Sequence, residues 1–245
     1  MPRASPLPLS LRFALWFSAW RSGVASLDDA RDGIVADDAA HDVVDLPSSS
    51  GTVPLIVALG TLRSNGATDA GTALPVPGDL LGLAGPPGFN SDALDVGEAV
   101  VLEGCGLGLV PHRAGAGVVW RCHRATLPRQ VPDSSEADAA LRAALVRTAD
   151  ALSDLEVARW RPAVADELMA LRRPADFVFP QGTPARAVRV AALALRCRTV
   201  VDLALEDDGG SITAAEADAR RKALAPLDAA ARRALVAVCA PEGWD

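Results

Sequence analysis

Between Ser10 and Ser22 the apolar residues Phe13, Trp16, Phe17 and Trp20 recur at i, i+3, i+4 and i+7, which is one stripe of an α-helix. That stripe is expected to face a core; the same anchors would also suit a groove on another protein. Ser26 followed by Asp29 predicts a capping-box start to a second, short helix. After the PSSSG run at 47–51, Leu55, Leu59 and Leu62 step at helical spacing, with Pro54 in the first turn and Gly66 placed to end the helix. A short extended run is expected at 73–76.

Three strand-like runs follow, at 99–103, 107–111 and 117–123, separated by glycine-rich turns at 104–106 and 114–117, and they predict an antiparallel meander. On the third run the period of two separates Val119, Arg121 and His123 from Val118, Trp120 and Cys122. The first set is expected to form a basic exposed face and the second a core face. Beyond 128–133 the pattern turns helical. Ser135 with Asp138, Ser153 with Glu156 and Thr213 with Glu216 match the S/T-x-x-E/D start pattern, and Thr183–Pro184 offers a cap followed by proline. These signals divide 134–245 into about five or six helices. The run from Pro184 to Leu205 is apolar almost all round, which predicts the bundle centre, and Pro162 is expected to kink its segment or start a new helix.

The fold class that results is α+β. Helices pack on a small, mainly antiparallel sheet over 1–133, and a helical bundle occupies 134–245.

Composition changes this picture little. Hydrophobic residues make up 50% and charged residues 22%, which argues for globular structure rather than disorder. There is no tyrosine, so aliphatic packing must fill the cores. The net charge of −7 is opposite in sign to what neutralising phosphates requires, so nucleic acid is excluded as the expected partner. The first residues have the apolar look of a signal peptide, but Arg12 interrupts the run and no small-x-small cleavage site follows. No window approaches the length of a membrane span. The four cysteines, Cys105, Cys122, Cys197 and Cys239, form no CxxC pair and are expected as reduced thiols of a bacterial cytoplasmic protein.

Candidate chemistry is sparse. The run PGDLLGLAGPPGFN at 77–90 is dense in Gly and Pro, and something must order it, because Leu80, Leu81, Leu83 and Phe89 would otherwise face water. It is no phosphate cradle, since neither GxxxxGK[ST] nor a strand-to-helix GxGxxG is present. Only His41, His112 and His123 could serve as imidazole bases, and there is no GxSxG elbow. Cys105, His112, Cys122 and His123 fall within one meander, but neighbours on a strand face opposite ways and the spacing lacks a zinc knuckle. From Asp28 to Asp45 there are seven aspartates against one arginine. Asp37, Asp38, His41 and Asp42 match no metal loop, and a solvated acidic segment is expected. EDDGG at 206–210 reads as a polar helix end, and RWRP at 159–162 as a tryptophan tucked beside a bend.

The stretch 104–132 contains no acid and carries Arg113, Arg121, Arg124 and Arg129. Two readings follow: the basic face fastens the acidic 28–45 segment within the molecule, or it holds an anionic ligand or acidic partner. The functional expectation is a non-enzymatic interaction or regulatory protein with a protein partner. The alternative is an enzyme or small anionic-ligand binder using the 77–90 loop and the basic strand at 121–124. Asp79, Leu81, Phe89, Asn90, Arg121, His123 and Arg124 are the candidate ligand- or partner-binding residues. No catalytic residue, metal ligand or cofactor is assigned.

Overall fold

Helix α1 (Leu9–Arg21) forms where the aromatic stripe predicts it. In the computed structural model, which describes residues 7–47, 49–154, 177–206 and 214–239, its Phe13 and Phe17 are fully buried. Phe13 lies 5.0 Å from the ring centre of Trp120, so the stripe is core. Helix α2 (Leu27–Val35) starts with the expected capping box, in which Ser26 and Asp29 satisfy each other's backbone amides. Gly33 of α2 lies against the Trp16 ring, where a Cβ would have no room.

Among the described residues the sheet has six strands, in the order β2-β1-β6-β5-β4-β3. These are β1 (His41–Val44), β2 (Val53–Pro54), β3 (Ala70–Ala73), β4 (Ala99–Leu102), β5 (Leu107–Ala114) and β6 (Gly117–Arg124). β3, β4, β5 and β6 form the antiparallel run, and β1 joins β6 in parallel, with Asp42 opposite Val119 and Val44 opposite Arg121. Helix α3 (Leu55–Ser64) buries Leu55, Leu59 and Leu62 against the same inner face as α1. Helix α4 (Pro87–Val96) covers part of the outer face.

Among the described residues the bundle comprises α5 (Ser134–Asp154), α6 (Ala185–Glu206) and α7 (Ala214–Val238). The molecule is therefore α+β, with helices and a mixed, mainly antiparallel sheet first and helices after. The two parts share apolar packing: Leu11, Leu74 and Leu81 lie in one cluster with bundle residues such as Leu141, Val190 and Leu235.

Several expectations need correction. The acidic segment contains β1, a short strand whose four residues all pair in parallel with β6. The strand expected at 73–76 lies at Ala70–Ala73. The loop is shorter than expected, because α4 begins at Pro87. Helix α5 is capped by Asp133, whose Oδ1 accepts from the amides of Ser135 and Glu136, rather than by Ser135. The bundle centre is α7, which packs against both α5 and α6, whereas α5 and α6 meet each other much less. Ser153 lies within α5 instead of opening a helix. Glu156, Pro162, the RWRP run, 207–210 and Thr213 lie outside the described residues.

Candidate functional site

Phe89, Asp92, Ala93 and Val96 fall at i, i+3, i+4 and i+7 of α4, so one stripe faces the sheet. Phe89 and Ala93 are buried with Val101 and Val110. Gly108 makes room for this: a Cβ there would stand 2.5 Å from the Phe89 ring. On β5 and β6 the alternation turns Val110, His112, Arg121 and His123 outward beneath the helix, since paired residues share a face.

Asp92, set between these side chains, is their common acceptor. His123 Nε2 is 2.7 Å from Oδ2, His112 Nε2 is 3.2 Å from Oδ1, and Arg121 is 3.5 Å from Oδ2. Burial raises the Asp92 pKa, but hydrogen bonds from His123 and His112 and the nearby positive charge outweigh it, and the net shift is downward. An ionised Asp92 needs a proton on each Nε2, which leaves Nδ1 as the acceptor in a neutral ring. Such carboxylate-oriented imidazoles are half of an acid–base catalyst. Among the described residues no Ser, Thr or Cys hydrogen-bonds either ring.

A second aspartate gathers charge on the inner rim. Asp38 accepts from Arg12 at 2.5 Å, from His41 Nε2 at 3.0 Å and from Arg113. His41 Nδ1 in turn accepts from the Trp120 indole at 3.2 Å, fixing the ring between Trp120 and Asp38. Burial raises the Asp38 pKa, and the bonds from Arg12, Arg113 and His41 more than reverse this, to about 2. Burial lowers that of His41 despite the neighbouring carboxylate. The acidic segment and the basic strands therefore do meet within the molecule, through Arg113, while Arg121 turns to Asp92.

The thiols offer little reactivity. Burial raises the pKa of Cys122 to about 12 and that of Cys197 to about 11, and it raises Cys105 and Cys239 as well.

The seven candidate residues do not converge on one pocket. Phe89, Arg121 and His123 meet around Asp92. Asp79 instead pairs at 3.1 Å with Arg232 of α7, which also donates to the Leu74 carbonyl. Leu81 packs beside it in the bundle-side core. Asn90 accepts from the Gly85 amide and so braces the entry to α4. Arg124 is exposed and, opposite Leu107, belongs to the inner-face row rather than with Arg121 and His123. Asp92, His112, Asp38 and His41 were missed as a set. Continuing the helical step from Phe89 finds Asp92, but only once 87–96 is read as helix.

Beyond α4 the outer face opens. Among the described residues no helix packs extensively over that face of β1 and β2. Asp42, Val44 and Val119 are partly exposed there, Pro54 is exposed, and the Arg121 side chain is 48% exposed.

Comparison with known proteins adds a family. Residues 10–137 match the N-terminal domain of Rv1486c-like proteins, and residues 135–236 match their C-terminal domain. Uncharacterized protein Rv1486c of Mycobacterium tuberculosis is 29% identical, over 92% of this chain and 93% of its own length. Uncharacterized protein ML1804 of Mycobacterium leprae is 27% identical, over 93% of this chain and 95% of its own. Uncharacterized protein MAV321 of Mycobacterium avium is 36% identical over 44% of this chain and 40% of its own. No solved structure matches.

Proposed function

The chain belongs to the Rv1486c-like family, a bacterial one, and we propose that it is a non-enzymatic interaction or regulatory protein whose binding surface is the open outer face of β1 and β6. One observation carries the reading: among the described residues no helix packs extensively over the outer face of β1, and α4 reaches only the side of β6 nearer β5, leaving Val44 and Val119 partly exposed between Asp42 and Arg121. Apolar side chains mixed with charges of both signs on a flat strand surface match the composition of protein interfaces.

The small-anion alternative fits less well. The position between Arg121 and His123 that an anion would occupy is already filled by Asp92. Among the described residues no Ser, Thr or Cys hydrogen-bonds either imidazole to serve as a nucleophile, and burial keeps the thiols protonated at neutral pH. The free cysteines suit a reducing cytoplasm. No helix of the described residues is long and apolar enough to cross a membrane.

The test is affinity capture from the organism's own lysate with the tagged wild type and with Val119→Glu, analysing proteins and small molecules in the same eluate. A protein retained by the wild type and lost with Val119→Glu is the expected result. A stoichiometric metabolite, with no protein whose retention depends on Val119, would overturn the reading.

A further inference from the structure

Helix α1 starts without a cap of its own. Pro8 stands at its N-cap position, no side chain there accepts from the first turn, and that turn holds no acid. Glu98, 88 positions on and just before β4, takes over the role: its Oε2 accepts from the Ser10 amide and from the Ser10 hydroxyl, each at 2.8 Å. The Ser10 hydroxyl accepts in turn from Thr72 of β3 at 2.6 Å. Ser10 and Thr72 are both buried, so the contact is internal. The turn it fixes serves both cores. Leu7 and Leu11 pack with bundle residues such as Val190 and Leu235, while Leu9 and Phe13 pack over the sheet.

The Glu98 carboxyl group is enclosed without a counter-ion. Among the described residues it forms no ion pair: the two cations that act on it are engaged elsewhere, Arg198 of α6 beside Asp228 of α7 at 3.7 Å and Arg113 of β5 with Asp38. Arg12, on the same helix turn as Ser10, is also taken by Asp38. The Cys239 thiol, bonded to the Thr72 backbone, is kept protonated by burial and adds no charge.

Burial is the largest influence on Glu98 and raises its pKa. The bonds from Ser10 and the attraction of Arg198 and Arg113 lower it by less, and the net shift is upward. Both bonds end on Oε2, so a proton on Oε1 breaks neither of them. Protonation thus removes a buried charge and keeps the cap. Loss of the proton leaves an ion in the interior, and that ion regains water when the first turn of α1 lifts from the bundle.

We infer that Glu98 makes the junction between the sheet half and the bundle responsive to pH, holding the first turn of α1 against the bundle more firmly when its carboxyl group carries a proton. A carboxyl group whose folded pKa is raised contributes stability that is full below the ordinary value of 4.5 and is lost as pH rises through the folded value. The slope is opposite in sign to that of Asp38.

The experiment compares the full chain with Glu98→Gln between pH 4.5 and pH 8, by urea unfolding and by amide hydrogen exchange, once circular dichroism has confirmed the fold. The amide keeps an acceptor for Ser10 and cannot ionise. All other titrating groups are common to the two proteins, so their difference isolates Glu98. The variant is expected to match the wild type near pH 4.5 and to become the more stable of the two as pH rises. Exchange is followed at the first-turn amides, beginning with that of Arg12, which donates to the Pro8 carbonyl at 3.0 Å. Their rate is taken relative to amides of β5, because hydroxide speeds both alike, and local opening raises the ratio. The ratio is expected to rise several-fold across the range in the wild type and to stay level in Glu98→Gln.

A stability difference that does not change with pH would overturn the inference. A ratio that stays level in the wild type would overturn it too, since the ion would then act on the whole fold and not on the junction. Should Glu98→Gln fail to fold, Ser10→Ala replaces it. With one bond to the ion removed, the decline seen in the wild type is expected to extend to higher pH, and an unchanged profile would again count against Glu98.

Discussion

Strands β4 and β5 and strands β1 and β6 are all interior to one sheet, yet they are covered differently. β4 is buried along its whole length and β5 over its first five residues, because α1 lies on one side, and on the other Phe89 and Ala93 of α4 pack with Val101 and Val110. β6 alternates, with Val118, Trp120 and Cys122 buried and Val119, Arg121 and His123 at least partly open, and β1 alternates likewise. The difference follows from the length and position of α4. Its ten residues span about 15 Å, enough to cover β5 and the near side of β6 but not β1. The covered half is thus built for stability. The open half buries its inner face and leaves its outer face partly exposed.

The largest effect that would break this contrast lies under α4. Phe89→Ala empties a fully buried ring site over Gly108 and is expected to cost about 3–5 kcal/mol. Urea unfolding measures it. A loss below about 1 kcal/mol, the size of a typical surface change, would show that α4 does not anchor the covered half.

Acid sharpens the contrast next, because the open half is held on its inner rim by charge. Asp38 has a folded pKa of about 2 against an ordinary 3.8. Its stabilisation is therefore full above the ordinary value and disappears as pH falls through the folded one, about 2 kcal/mol in all. His41 adds a second slope. Its folded pKa is lowered, so the unfolded chain takes up the proton first, and stability declines as pH drops below 6.5. In thermal melts from pH 7 to pH 2, Asp38→Asn is expected to flatten the acid limb. An unchanged limb would place the acid sensitivity elsewhere.

Asp92 marks the border between the halves. Asp92→Asn keeps the shape but removes the charge that His112, His123 and Arg121 share. It is expected to cost about 1 kcal/mol, the net worth of an ordinary hydrogen bond in a partly open site. Because the Asp92 pKa is lowered, that difference from wild type is expected to shrink in acid, as the wild-type carboxylate protonates too. A cost that does not change with pH would mean that Asp92 acts through packing alone.

What the sequence makes legible follows from how local each signal is. The α1 stripe, the Ser26–Asp29 capping box and the β6 alternation depend on residues within a turn or two, and each appears in the structure where its pattern lies. β1 was hidden for the opposite reason. His-Asp-Val-Val is too short and polar to read as a central strand, and its place comes from parallel pairing with β6, 77 positions on from His41 to Val118. The Asp92 cluster was hidden twice, first by the glycines and prolines that made 77–90 read as loop and then by its dependence on two strands and a helix at once. Asp79 shows the same limit: nothing near it announces Arg232, 153 positions away.

The smallest expected effect is the most telling for the open half. If its outer face serves binding rather than folding, Val119→Glu places a carboxylate where water already reaches. Beside it Arg121 can offset part of the new charge, and Asp42 adds to it. The change in unfolding free energy is expected to stay within about 0.5 kcal/mol, as for ordinary surface substitutions, and urea unfolding measures it. A deficit above about 1 kcal/mol would mean that the outer face of β6 is part of the core after all, with no surface left there to bind.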